Sequence, residues 1–325
     1  MATTPAIWLL TDERMLAHGV PDHPERPERL APVADGVADA AATLGAHLER
    51  PAVQPATDED LLRIHPEWYL RALQAAAERG GGWLDGDTHV GPDSMTAARL
   101  AVGATIAAAH AAADGSAAIA FAVVRPPGHH AAEERGAGFC LVNNVAIAAA
   151  ALRASGAAQR IAILDWDVHH GDGTQELFEA DPAVLYTSTH QAPFYPGTGA
   201  ASERGRGDAT GTTINRPLLA GDGDEPFVAA WTEELLPAVE AFDPRAILVS
   251  AGYDAHRDDQ LAGLAVTERG FEAVARALGG VAARLGLGGV TFTLEGGYDF
   301  EALRASAAAT VRGVATGLAE GAESA

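Results

Sequence analysis

A chain of 325 residues, 48% of them hydrophobic, is long enough for one large domain or two modest ones and has the balance of a globular protein. Its 44 acidic residues face only 22 basic ones, all arginine, for a formal net charge of −22. That composition rules out lysine chemistry and speaks against non-specific nucleic-acid binding, which needs clustered basic side chains. No apolar run approaches the roughly 18–20 uncharged residues that span a bilayer, so no membrane segment is expected. The first ten residues lack the basic start and small-residue cleavage site of a signal peptide. The single cysteine, Cys140, allows no intrachain disulfide, and a cytoplasmic location is the expectation. The acidic surface would draw cationic substrates from a distance. Exchange of lysine for arginine, with acids selected for solubility, accounts for the same composition.

Taken in chain order, six short apolar runs predict buried parallel strands at 6–10, 118–124, 161–165, 184–189, 246–250 and 290–294. Alanine-rich helices are expected at 94–113, 141–154, 226–242, 267–285 and 299–318. Alternation of strand and helix from end to end predicts right-handed crossovers and a three-layer α/β sandwich. No linker or repeat interrupts it, so residues 1–325 read as a single domain with a loose tail from about 319.

Four of the strands run directly into ionisable residues. The run 161–164 leads into Asp165, Asp167, His169, His170 and Asp172, and 246–249 into Tyr253 and Asp254. The run 118–124 leads into Arg125, His129 and His130, and 291–294 into Glu295, two glycines and Tyr298. The carboxyl edge of an open parallel sheet is where ligands bind. Asp167 and His169, two apart in an extended segment, point the same way and supply one oxygen and one nitrogen to a single ion. Asp254, at an equivalent strand end, is the best candidate third ligand, and such a set leaves a position open for water. His129 and His130 follow a rigid Arg-Pro-Pro-Gly and suit proton transfer near neutrality, with Asp165 and Asp172 free to orient them. Tyr298, behind two glycines, suits a phenol donor facing the ion, although a turn residue packing on the sheet would look the same.

Together these segments resemble the histone deacetylase family, in its class II and bacterial amidohydrolase branch. The resemblance runs through His23-Pro24-Glu25-Arg26-Pro27-Glu28-Arg29-Leu30, Arg125-Pro126-Pro127-Gly128-His129-His130 and Gly138-Phe139-Cys140-Leu141-Val142-Asn143-Asn144. It continues through 165–173, Tyr195-Pro196-Gly197-Thr198-Gly199, 250–254 and Leu294-Glu295-Gly296-Gly297-Tyr298. It implies the arginase/deacetylase fold, a three-layer αβα sandwich with a mainly parallel sheet of about eight strands. It also implies one catalytic zinc on Asp167, His169 and Asp254, activating water and polarising an acetyl carbonyl. His130 would be general base and later acid, oriented by Asp172; His129, oriented by Asp165, would assist electrostatically; Tyr298 would stabilise the oxyanion.

Two structural potassium ions are implied as well. One would use backbone oxygens near Asp165, Asp167, His169 and Thr189, with Ser188. The other would use those near Phe178, Asp181, Val184 and Thr212. Gly138, Phe139 and Tyr195 match the tunnel for the acyl-amine, Leu261 matches a rim residue, and Asp87 resembles the rim acid that grips substrate amides. Cys140 is expected to be a buried, inert thiol.

Some positions depart from the family's habits. Asp172 stands where many class II relatives carry asparagine, and Tyr195 where phenylalanine is frequent. Leu261 stands where polyamine-selecting vertebrate relatives place glutamate, and the span 80–94 lacks the insertion of acetylpolyamine amidohydrolases. The expected substrate is therefore an acetylated lysine side chain, with acetylpolyamines and small acetylated metabolites as alternatives and homo-oligomerisation left open. Asp254-Ala255-His256-Arg257-Asp258 also imitates a binuclear manganese ureohydrolase, which would need a second Asp-x-Asp that the chain does not clearly offer. A silent acyl-lysine-binding module would lack Tyr298 or a ligand, and none is missing.

Overall fold

All six apolar runs form strands of one parallel sheet, and two more polar strands complete it at its edges. The structure is a computed structural model describing residues 5–324. The strands are β1 (Ala6–Leu10), β2 (His47–Glu49), β5 (Ile119–Ala122), β6 (Ile161–Asp165), β7 (Val184–Gln191), β8 (Thr213–Leu218), β9 (Ala246–Ala251) and β10 (Val290–Leu294). A separate two-stranded antiparallel hairpin is made by β3 (Gly82–Trp83) and β4 (His89–Val90). The sheet order is β2-β1-β5-β10-β9-β6-β7-β8, every pair parallel. The edge strands escaped the sequence reading for a physical reason. β2 is three residues with no apolar run, and β8 carries Asn215, Arg216 and Pro217, which an edge tolerates and a central strand does not.

Side chains alternate across the sheet. Ala162 and Leu164 face a core built with α9 (Glu268–Arg284) and α10 (Phe300–Ser324). Ile161 and Ile163 face α5 (Asn144–Ser155), which packs beside α4 (Ser94–Asp114). The layers are thus helix, sheet, helix. The remaining helices are α1 (Leu30–Leu44), α2 (Asp58–Leu61), α3 (Glu67–Glu78), α6 (Asp172–Phe178), α7 (Asp224–Ala229) and α8 (Leu236–Phe242), the last two joined by a π-helical turn at Ala230–Leu235.

The helix expected at 141–154 starts at Asn144, because the Asn143 side chain accepts the Ala146 amide and caps it. The last helix does not loosen at 319: α10 continues through Ser324, and Ala325 lies outside the described residues. Glycines explain the extension. A Cβ on Gly317 would lie 1.9 Å from the Arg276 carbonyl oxygen, so α10 runs against α9 at backbone contact distance. Arg276 then pairs with Glu320.

Candidate active site

β5, β10, β9 and β6 are neighbours at the centre of the sheet, so their carboxyl ends bring four polar segments to one place. Asp167, His169 and Asp254 each present a ligand atom there, all within 4.8 Å of one another. His169 Nδ1 lies 3.1 Å from Asp167 Oδ1 and 3.3 Å from Asp254 Oδ2. One oxygen of each carboxylate is held from behind: Asp167 Oδ2 accepts the Gly296 amide at 2.7 Å and Asp254 Oδ1 the Val168 amide at 2.9 Å. Asp254 Oδ2 is buried and makes no hydrogen bond. Two glycines make this packing feasible. A Cβ would stand 2.0 Å from Asp167 Oδ2 if added to Gly252 and 2.1 Å from Asp254 Oδ2 if added to Gly296.

The electrostatics of the cluster suit a cation. Burial, and then the charge of Asp167, push the Asp254 carboxyl up to about 7. Against burial, the carboxylates of Asp167 and Asp254 beside its ring raise His169 to about 10. Two carboxylates at one buried point need positive charge between them. A bare buried oxygen, a second carboxylate and an imidazole nitrogen form an oxygen-and-nitrogen donor set that fits zinc.

Beside this cluster the rings of His129 and His130 lie 4.0 Å apart. His129 Nδ1 meets Asp165 Oδ2 at 3.0 Å, and that oxygen also accepts the Tyr186 hydroxyl at 3.2 Å. His130 Nδ1 meets Asp172 Oδ1 at 2.7 Å, and Arg135 pairs with the other Asp172 oxygen at 3.3 Å. The two imidazoles are driven apart in basicity. Burial and the neighbouring charge of His129 lower His130 to about 3. Against burial, Asp165 and then Asp167 hold His129 well above the usual histidine value. These surroundings favour imidazolium at His129 and the neutral ring at His130.

A cavity of about 390 Å³ opens over these groups, lined by His129, His130, Asp167, His169, Gly138, Phe139, Tyr195, Leu261, Asp87 and Tyr298. Every rim and tunnel residue expected from the sequence therefore lines one space. Gly138 and Phe139 both take left-handed backbone, φ +52° and +70°. A Cβ on Gly138 would lie 2.3 Å from the His130 ring, so only glycine lets the wall approach the base. Phe139 is a non-glycine held in that region by its amide donating to Thr88 Oγ1 and by the edge of His23, 4.7 Å away. Burial holds the Tyr298 phenol well above the usual tyrosine value, so it stays a proton donor. Cys140 is buried, and burial pushes its thiol well up, as an inert group requires.

The residues implied for potassium also fall into two places. Asp165 is the register partner of Ser188, and Gln191 N bonds Val168 O, which joins the 165–169 segment to the end of β7. Phe178, Asp181 and Val184 form the tight connection from α6 into β7, and Tyr186 N donates to Thr212 O beside it.

Five buried charged residues that support the site carried no role in the sequence reading. Glu25 accepts from Arg29 Nη1 at 3.0 Å and from Arg125 at 3.0 and 2.7 Å. Arg29 donates to the carbonyls of Glu295 and Gly297, and its guanidinium lies 4.8 Å from the centre of the Tyr298 ring. Glu295 accepts the amides of Gly128 and His129 at 2.7 and 3.1 Å and fixes the histidine pair. Asp259 accepts the Tyr298 amide at 2.6 Å. Phe194, stacked 5.4 Å from His169, was also unassigned. The only sequence signal was the spacing Glu25-x-x-x-Arg29 and the placement of charges beside the motifs.

The family model of the histone deacetylase domain matches residues 23–314. The chain belongs to the histone deacetylase family. A probable deacetylase of Archaeoglobus fulgidus is 43% identical over 281 residues, 86% of this chain and 78% of that protein. A histone deacetylase-like amidohydrolase of Pseudomonas aeruginosa is 39% identical over 284 residues, 87% of this chain and 73% of its own. The crystal structure of the HDA15 HD domain superimposes with a TM-score of 0.89 at 36% identity, covering 97% of this chain and 90% of that one. Family membership makes this deacetylase-like chain an amide hydrolase acting on acetylated substrates. Among the described residues the only cluster of three possible metal ligands is Asp167, His169 and Asp254. His256 faces Asp258 and Glu268 instead. No described helix is long and apolar enough to cross a membrane.

Proposed function

We propose that the protein is a zinc-dependent deacetylase that hydrolyses the acetyl amide of lysine side chains. The observation that carries this reading is the buried Asp254 Oδ2, which makes no hydrogen bond and lies 3.3 Å from His169 Nδ1, beside a histidine–aspartate pair at the floor of a narrow cavity. Asp167, His169 and Asp254 would hold one zinc per chain. Bound there, zinc supplies a Lewis acid that polarises the amide carbonyl and acidifies water.

The chain's own groups do the rest. His130, bare at Nε2 because its Nδ1 faces Asp172, takes the proton from attacking water and returns it to the departing amine. His129, kept protonated by Asp165, places positive charge beside the developing negative charge. The Tyr298 hydroxyl donates to the carbonyl oxygen as it gains charge. Phe139 and Tyr195 flank the acyl-amine stem and exclude water, and Asp87 and Leu261 meet the substrate outside. Potassium would occupy the two backbone-oxygen clusters and stiffen the 165–169 loop and the turn into β7. Residues 1–325 would act as one catalytic domain, and the lone buried thiol suits a reducing cytoplasm.

The acidic surface favours one second reading, an acetylpolyamine as substrate. The comparison of kcat/KM for an acetyl-lysine peptide and an acetylpolyamine on the zinc-loaded protein tests the choice. Peptide preference is expected, because Leu261 and the short 82–90 hairpin leave the entrance open. Polyamine preference would transfer the function to the second reading. No turnover of either with metal bound would contradict both.

A further inference from the structure

Asp259 is a buried carboxylate, 7% exposed, whose polar contacts are all with backbone amides. It lies five residues beyond Asp254, in the loop that leaves β9. Oδ2 accepts the amides of Tyr298 and Asp299 at 2.6 and 3.3 Å, and Oδ1 accepts the amide of Leu261 at 3.0 Å. A carboxylate is desolvated at cost unless it is well bonded, and three donors from two separate segments meet that cost here.

The segment it grips is fixed upstream of Tyr298 by the Gly296 amide on Asp167 and the Tyr253 amide on the Gly296 carbonyl, whereas the Tyr298 and Asp299 amides go to Asp259. Gly296 and Gly297 precede Tyr298, and Gly297 has φ +114°, a conformation that glycine adopts without strain and that turns the chain into the tyrosine. Arg29 restrains this approach from one side, bonding the carbonyls of Glu295 and Gly297 and lying over the phenol ring. Asp259 restrains it from the other, at the amides of Tyr298 and Asp299 just ahead of α10. The same carboxylate holds Leu261, which lines the cavity with Tyr298.

We propose that Asp259 is a positioning residue for the deacetylation step: through the Tyr298 amide it sets where the phenol hydroxyl meets the substrate carbonyl oxygen, and through Leu261 it ties that placement to the rim. The inference rests on the proposed deacetylase reading for its kinetic consequence and on the hydrogen bonds alone for the clamp. An oxyanion donor is worth about 10²–10³-fold in kcat, and a displacement of about 1 Å forfeits much of such an effect.

Asp259→Asn keeps the size of the side chain but replaces one acceptor oxygen with an NH₂ group that cannot accept from these amides. Its kcat is expected to fall about 10- to 100-fold with KM changed less than about threefold, because the substrate still enters the same tunnel. Adding Asp259→Asn to Tyr298→Phe should lower kcat less than about threefold further, since a residue acting through a hydroxyl has nothing to act on once it is gone. Losses that simply multiply would overturn the proposal, as would a fall in bound zinc that accounts for the whole effect.

Amide hydrogen exchange over 296–300 decides the clamp without any turnover. In the unsubstituted protein the Tyr298 and Asp299 amides should exchange slowly, and Asp259→Asn should release them while β10 stays protected. Fast exchange in the unsubstituted protein would overturn the clamp even if the variant failed to fold. If the unsubstituted protein hydrolysed no acylated amine, the deacetylase reading would fall, while protected amides would still establish that Asp259 holds Tyr298.

Discussion

At the floor of the pocket Asp165, Asp167 and Asp254 are at most 1% exposed, and each has an oxygen bonded to a neighbouring amide or side chain. At the mouth Tyr195 is 45% exposed, and Trp83, 54% exposed and beside the lining residue His23, stands on a hairpin whose strands are two residues each. The floor is assembled from four central strands and glycines that admit no side chain; the rim comes from short segments fastened at a few points, such as Phe139 N to Thr88 Oγ1 and the His23 ring to the Asp87 carbonyl. Changes at the floor therefore disturb chemistry and stability together. Changes at the rim touch few other residues, which leaves substrate choice adjustable while the reaction stays fixed.

The largest effect should come from the floor. His130→Ala is expected to lower kcat by about 10²–10⁴-fold, the usual contribution of a positioned acid–base group, with bound metal retained. Near-normal turnover in that variant, measured on an acetyl-lysine peptide, would remove His130 from its role. Next is the buried support beneath Tyr298. Glu25→Gln leaves Arg29 and Arg125 without their shared carboxylate and should cost about 3–5 kcal/mol in stability, read as a lowered urea midpoint.

Acid should act on two buried histidines, one beside Glu25 and one beside Asn143. Burial holds His18 and His65 down to about 4, against the pull of Glu25 in the case of His18. The unfolded chain binds protons at these imidazoles near 6.5, so unfolding takes up protons between about 6.5 and about 4. Stability is then full above about 6.5 and lost as pH falls through that window, by roughly 3 kcal/mol for each histidine. A urea midpoint that stays flat from pH 7.5 to 4.5 would contradict this. The smallest effect belongs to the rim: Trp83→Ala should leave stability within about 0.5 kcal/mol and kcat unchanged, and raise KM for peptides a few-fold. A large loss of stability there would break the contrast between the two regions.

The same contrast governs what could be read from the residues alone. The central strands are continuous apolar runs, and they hand Asp165, Asp167, His169, Asp254, His129, His130 and Tyr298 to one edge, so fold and floor were both legible. The edge strands β2 and β8 and the β3–β4 hairpin are too short or too polar to show a period, so they were not. Glu25, Arg29, Arg125, Glu295 and Asp259 were unassigned because a charged residue in a sequence looks exposed unless its partner is known, and the partners here come from distant segments. The end of α10 was misjudged for a related reason. Its small residues resemble a loose tail, and only the close backbone of α9 shows why glycine is useful there.

The proposed deacetylase would hold one zinc on Asp167, His169 and Asp254 and turn over acetylated amines only with that zinc bound. The most direct test is to strip the protein of metal, add zinc in measured portions, and follow acetate release from an acetyl-lysine peptide alongside bound metal. The account predicts no release from the stripped protein, activity rising in proportion to zinc, and a plateau at one ion per chain that Asp254→Ala never reaches. Full activity in the stripped protein, or a plateau that requires two ions, would contradict it.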